Sequence, residues 1–411
     1  MPNMFTGSGV AGVITSRLKA PRLLFFAVIL GIFEGTDIAS MGMTLSRISR
    51  ALDLNPTQSG LCASASMAGL MVGALIGGRL ADIRGRRSVM ISSIALMGVF
   101  SIATALSWSF TSLFAFRLCT GLGMGGLMPL LIAMANDSAH SSFRSTAISI
   151  VLASGPIGGF VAALVAAHPD WRMLFLFGGI GPMLVMPLVL AYLPVAIFDP
   201  GTRLSAPKRR SSLVRTYFAD GRTSGTLLIW AIAFATAIVV FVTLNWLPSL
   251  LVRQGISEAQ TSKVMLAFSL GGIIGNIVAG VMMDRGSSAA LYALGYIGAG
   301  LCLSGIAIAP AGAGIYVLAA GINFFILGAL LVTYSLAPIH YPVNVRASGI
   351  GGMIAAGRLG SVFGPVLAGQ LLQAGFAPQT VLLALLPALG VSLVFGLGLE
   401  RRLRRGVPPQ S

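Results

Sequence analysis

Stretches of roughly 20 mostly apolar residues recur twelve times along the chain, separated by short polar breaks. They fall at about 22–44, 57–80, 88–107, 112–136, 145–167, 172–193, 224–250, 261–283, 288–309, 313–338, 347–373 and 378–399. A helix of that length crosses a hydrocarbon core about 30 Å thick. In lipid the backbone must satisfy its own hydrogen bonds, which helices do. The pattern therefore predicts an all-α integral membrane protein of twelve transmembrane helices. The longest break, 194–223, contains SAPKRRSS and divides the chain. The expected organisation is an N-terminal segment (1–21), a six-helix bundle (22–193), a basic linker (194–223), a second six-helix bundle (224–399) and a tail (400–411).

The two halves repeat. The loop after predicted helix two reads GGRLADIRGRR and the loop after helix eight reads AGVMMDRG, which sets Asp82 and Asp284 202 residues apart. The loops after helices four and ten read SSFRSTA and VNVRASG, and Arg144 and Arg346 are again 202 apart. Two landmarks at one offset point to a duplication, a hallmark of transporters.

Composition agrees. The 411 residues are 56% hydrophobic and only 9% charged, with a mean hydropathy of +0.90. A soluble chain would be about a quarter charged. The net charge of +16 does not call for nucleic acid, because the basic residues cluster as orientation signals do. With the N-terminus placed in the cytoplasm, 20 Lys and Arg fall in inner segments and 5 in outer ones. That bias predicts that both termini are cytoplasmic. No short apolar run followed by a small-residue cleavage pattern opens the chain, so no removed signal is expected. Cys62, Cys119 and Cys302 lie in apolar stretches and read as core residues. His140, His168 and His340 lie in loops without metal-ligand spacing. Neither a metal nor another cofactor is expected, and the absence of a phosphate loop argues against ATP drive.

Charges inside the apolar stretches carry the chemistry. Residues 33–40 read FEGTDIAS, with Glu34 and Asp37 three apart and so on one helix face. Two desolvated like charges resist joint ionisation, so at least one is expected to bind and release a proton. Arg117 lies more than a turn inside helix four, at a depth compatible with those acids. Arg358 lies near the middle of helix eleven. A guanidinium at bilayer centre costs roughly 2.5–3.5 kcal/mol on insertion scales, so each must face protein, water or a partner. Arg358 is the best candidate for holding a carboxylate in a fork-like pair, with Arg117 assisting. Asp137, at the cytoplasmic end of helix four, is a further candidate for proton coupling.

GGRLADIRGRR resembles the helix-two/three signature of the major facilitator superfamily, and RLCTGLGMGG (117–126) resembles its helix-four motif. EGTD (34–37) is similar to the DGxD signature of the aromatic acid:proton symporters, a branch of that superfamily, most of all to its hydroxyphenylpropionate carriers. LNWLPSLLVRQG (244–255), YSLAPIHY (334–341) and GRLGSVFGPVLAG (357–369) share in the likeness. The resemblance implies transport roles for Glu34, Asp37, Asp82, Arg117, Asp137, Arg346 and Arg358. The sequence departs from the pattern where Glu34 stands for the commoner Asp and Asp137 for the usual Glu. SGPIGG (154–159) approaches the helix-five motif of drug:proton antiporters but is one residue short.

An aromatic substrate needs an apolar slot and a partner for a ring hydroxyl. Phe33, Tyr334, Asn245 and Asn323 are the candidates, with Phe241, Trp246, Phe324 and Phe325 nearby in sequence. Asp82, Arg86, Arg144, Asp284 and Arg346 are expected to act at the cytoplasmic gate. The resulting expectation is a secondary carrier, not an enzyme, in a bacterial-type inner membrane. It would import a small aromatic carboxylate with a proton by alternating access, working as a monomer in the lipid bilayer. A proton-coupled exporter and a carrier-like membrane sensor are the alternatives.

Overall fold

The computed structural model describes residues 21–140, 144–192, 217–218, 222–283, 288–308, 312–341 and 346–406. It is all-helical. The helices are α1 (Pro21–Ala51), α2 (Pro56–Arg84), α3 (Arg86–Ala105), α4 (Phe110–Ser138), α5 (Arg144–Val165) and α6 (Arg172–Tyr192). The second set is α7 (Thr223–Arg253), α8 (Glu258–Met283), α9 (Ser288–Ile308), α10 (Gly314–His340), α11 (Arg346–Gln373), α12 (Pro378–Leu383) and α13 (Leu386–Gly406). Among the described residues each predicted stretch is largely helical, the last of them broken between α12 and α13. Eleven segments are long and apolar enough to span a membrane, the last of them running across α12 and α13. The twelfth is shorter, Ile150–Val165 within α5.

Local sequence fixes the helix ends. Asn55 accepts a hydrogen bond from the Gln58 amide while the Gln58 side chain accepts one from the Asn55 amide, with Pro56 at the first helical position. Ser109 and Ser112 make the same reciprocal cap for α4. Gly85, the sole residue between α2 and α3, has φ +85°, a conformation that a side chain would strain. Gly85 of GGRLADIRGRR thus makes the tight turn between the two helices.

The 202-residue repeat holds in three dimensions. The first residues of α1 and α7, of α2 and α8, of α3 and α9, and of α5 and α11 are each 202 positions apart. The packing repeats as well. Gly69 and Gly73 of α2 lie against the backbone at Leu118 and Leu122 of α4, and their counterparts Gly271 and Gly275 of α8 lie against Ala320 and Phe324 of α10. Lipid tails are as apolar as leucine, so burial alone does not drive these helices together. Close backbone approach through small residues does.

The halves meet along three seams, α1 with α7, α2 with α11 and α5 with α8. At the end of the molecule that carries Arg47 the seam is tight. Gly42 faces the backbone of Leu244 and Asn245, and Gly60 faces Pro365 and Gly369. Ser46 and Ser249 share a hydrogen bond of 2.7 Å, and Ser64 donates to the Val362 carbonyl at 2.7 Å.

Candidate functional site

Glu34 and Asp37 are both buried in α1, but they keep different company. Asp37 Oδ1 accepts from Arg117 Nη1 at 2.6 Å, and both side chains are 0% exposed. Arg117 Nη2 donates to Ser66 Oγ at 2.9 Å and reaches the Asp37 carbonyl at 3.3 Å. The Ser101 hydroxyl lies 2.9 Å from Asp37 Oδ2 and 3.0 Å from the Phe175 carbonyl. The Phe175 ring sits 5.4 Å from the guanidinium carbon, within cation–π range. This hub joins α1, α2, α3, α4 and α6. A buried charge without partners costs several kcal/mol, whereas one that is paired and hydrogen-bonded is tolerated.

Helix α1 is seated for this by α5. Gly35 lies on Gly155, Gly158 lies on the α1 backbone at Ile32 and Thr36, and the Thr36 hydroxyl lies 3.1 Å from the Gly158 carbonyl. The SGPIGG glycines (154–159) therefore bring α5 onto the very turn of α1 that bears both acids. In this structure they serve packing.

Glu34 is 1% exposed, and its Oε2 has no hydrogen-bond partner among the described residues. The charge that acts on it most strongly is Arg358 of α11, with Asp37 next. Arg358 is half-buried, and its guanidinium makes no hydrogen bond or ion pair among the described residues. Its field also reaches Tyr334 of α10. Tyr334 is 43% accessible. Glu34, Arg358 and Tyr334 thus form a second polar group, shared between the two halves, with unmet hydrogen-bonding capacity.

The other candidates lie elsewhere. The Phe33 ring packs on Phe177 at 5.6 Å and against Gly181 of α6. Asn245 donates to the Phe241 carbonyl of its own helix, 2.9 Å away. Asn323 donates to the Phe268 carbonyl at 2.9 Å and ties α10 to α8. Trp246 donates to the Pro365 carbonyl at 3.0 Å and ties α7 to α11. Arg86 opens α3, half-buried. The side chains of Asp82, Asp137, Arg144 and Arg346, and the whole of Asp284, lie outside the described residues. Sequence reasoning did not single out Ser66, Ser101 and Phe175, which complete the Arg117 hub. The available signal was hydroxyl residues at membrane depth, where each needs a partner.

A duplicated bundle of eleven long apolar spans and a shorter twelfth, with charges buried inside one half and set across the seam, is the architecture of a membrane transporter. Residues 23–340 match the Major Facilitator Superfamily, and the chain belongs to it. It is 38% identical over 383 residues to the 3-(3-hydroxy-phenyl)propionate transporter of Escherichia coli K12, covering 92% of this chain and 93% of that one. It is 29% identical to the gallate transporter of Pseudomonas putida, covering 93% and 92%. Among solved structures, a bacterial homologue of the human lysosomal transporter Spinster, inward-facing and unoccupied, superimposes with a TM-score of 0.76 at 15% identity, covering 95% of this chain and 99% of that one. That likeness concerns the fold alone.

Proposed function

We propose that this chain imports a small aromatic monocarboxylate together with one proton, by alternating access between its two six-helix halves. The observation that carries the proposal is the buried Glu34 carboxylate, its Oε2 without a hydrogen bond, in the field of a half-buried Arg358 that has no ion pair among the described residues. The relatives named above, carriers of a hydroxyphenylpropionate and of gallate, support an aromatic acid as the cargo. The excess of basic residues in the inner segments supports cytoplasmic termini in a bacterial inner membrane.

The charges suggest how proton and cargo are linked. The proposed cycle requires Glu34 to release its proton in the empty carrier, where Arg358 is the charge that offsets it. An arriving carboxylate takes the guanidinium, whose planar fork suits it. Glu34 is then left in a low-dielectric site without compensation and takes up a proton. Empty and loaded cavities carry the same net charge, so neither reorientation drags an uncompensated ion across the bilayer. Asp37, whose oxygens are occupied by Arg117 and Ser101, stays out of this exchange. Tyr334 offers a ring and a hydroxyl beside the guanidinium, suited to a hydroxylated aromatic group. The linker at 194–223 joins the two bundles that rock against each other, with the GGRLADIRGRR loop at the cytoplasmic gate.

Proteoliposomes test this. With an acidic exterior, labelled 3-(3-hydroxyphenyl)propionate should accumulate, and Arg358→Ala should abolish accumulation while leaving the protein folded. Accumulation by Arg358→Ala at the wild-type rate, or efflux driven by the same gradient, would sink the proposal; efflux would favour an exporter.

A further inference from the structure

At the closed end of the molecule one acid from the second half meets two bases from the first. Glu258, the first residue of α8, lies 3.5 Å through Oε2 from Arg47 Nε and pairs through Oε1 with Arg50 Nη2. Both arginines sit in the last two turns of α1. Among the described residues these are the only ion pairs seen between the halves at this end, where hydroxyl, glycine and apolar contacts accompany them.

The partners are arranged so that the bond can break. The Arg47 guanidinium is held independently of Glu258, for Nη1 donates to the His168 carbonyl at 2.6 Å and reaches the Pro169 carbonyl at 3.2 Å, while Nη2 donates to the Ala166 carbonyl at 2.7 Å. Those carbonyls lie just past the end of α5, where the helix leaves acceptors unsatisfied and its dipole favours a cation. Asp170, in the same loop, adds a second negative charge within range. Glu258 has its own compensation in the first turn of α8, the end of a helix dipole that favours an anion. Arg50 is 66% exposed and Glu258 is 36% exposed, so water solvates both when they part. Each half thus keeps its charges in place and stabilised with the gate open. A fully buried pair, such as Asp37 with Arg117, could not be parted so cheaply.

From this we infer that Glu258 is a gating residue whose contacts with Arg47 and Arg50 latch this end shut, setting how often the cavity opens there. The inference rests on the alternating-access reading, but its test needs no substrate. A cysteine at the seam reports opening, because Ser249 is 4% exposed and bonded to Ser46 when the gate is closed. In purified protein in nanodiscs, maleimide labelling of Ser249→Cys, read on the peptide that carries it, should be about two- to fivefold faster with Glu258→Gln, the range for a partly exposed ion pair. Glu258→Arg should label faster still, and adding Arg50→Glu to it should slow labelling again. The latch is refuted if Glu258→Arg labels at the parent rate. It is equally refuted if the exchanged pair labels as fast as Glu258→Arg alone, because that result would report general loosening. Failure of the uptake assay above leaves this order of rates untouched, so the two readings fail separately.

Discussion

Replacing Asp37 by Asn tests whether the two acids of α1 divide their labour. The substitution keeps the shape and a hydrogen bond for Ser101 but removes the charge that Arg117 faces at 2.6 Å. Arg117 is 0% exposed, and its Nε already lacks a partner. Removing one member of a buried ion pair costs about 3–5 kcal/mol, because the other is left uncompensated. Ser66 at 2.9 Å and the Phe175 face remain, and a desolvated cation–π contact contributes about 2 kcal/mol. The expected loss therefore sits at the lower end, about 3 kcal/mol. Removing both charges, as Asp37→Asn with Arg117→Gln, should cost less than the two single changes together, with a coupling of at least about 2 kcal/mol. Equilibrium unfolding in mixed micelles supplies the four free energies of the cycle. Glu34→Gln is the control: it breaks no hydrogen bond at the unpartnered Oε2, so its stability should stay within about 1 kcal/mol of the parent. If Asp37→Asn unfolds like the parent, or Glu34→Gln loses as much as Asp37→Asn, the division between a structural and a titrating acid is wrong.

Three further outcomes are expected. Glu34→Gln should still exchange labelled substrate across the membrane but no longer accumulate it against a gradient when the exterior is acidic; accumulation at the parent level would remove Glu34 from proton carriage. A methyl group at Gly60 would sit 2.6 Å from the Pro365 carbonyl, a clash of roughly 1–3 kcal/mol that arises only with this end closed. Gly60→Ala should therefore slow uptake roughly tenfold and speed seam labelling at Ser249→Cys, and an unchanged labelling rate would contradict the closure seen here. At the other end His340, beyond the apolar span of α10, packs its ring on Gly225 and lies 3.3 Å from the Arg222 carbonyl. Burial, aided by the charges of Arg402 and Arg222, holds its pKa below the ordinary 6.5. The folded protein disfavours the protonated ring, so this contribution to stability is complete above pH 6.5 and is lost as pH falls through the lowered value. Melting temperature should drop between about pH 7.5 and 5.5, and less so in His340→Asn.

The helices were legible because lipid leaves so few options: a run of about 20 apolar residues must be a span, and among the described residues the twelve runs are largely helical. The duplication was legible for a similar reason, since ungapped loops preserved the offset between Asp82 and Asp284. Arg117 and Arg358 stood out because an arginine at membrane depth demands an explanation. Their separate roles could not be read from the chain. Periodicity puts Glu34 and Asp37 on one face, yet three residues of a helix subtend enough angle that one acid points into the α3–α4–α6 cluster and the other toward α11. Nor does sequence say which aromatic residues line a cavity: Phe33 is committed to Phe177 and Gly181, while Tyr334 stays accessible. Glu258 carries no signal of its own in the sequence, and only the approach of α1 to α8 gives it partners.

The repeat also shows where the symmetry was abandoned. At the 202-residue offset that relates the helices, Glu34 corresponds to Thr236, Asp37 to Val239, Arg117 to Ala319 and Arg358 to Pro156. The second half has hydroxyl links in place of the charged hub: Thr236 bonds Tyr296 at 2.9 Å and Ser392 at 3.1 Å, and Tyr292 bonds Thr333 at 2.6 Å. Each half is therefore tied internally by contacts that move with it and are indifferent to which end is open. Glu34 and Arg358 differ in kind, because they belong to different halves and any rocking motion changes their separation. At an effective dielectric of about 20, doubling a separation of about 6 Å weakens the attraction of two unit charges by about 1.4 kcal/mol, a tenfold bias on whatever equilibrium it feeds. A charge pair inside one half cannot supply that dependence on conformation, however strong it is. On the proposed reading, coupling of proton to movement would reside in the pair that straddles the seam, while Asp37 is held by Arg117 and Glu34 Oε2 is without a hydrogen bond among the described residues.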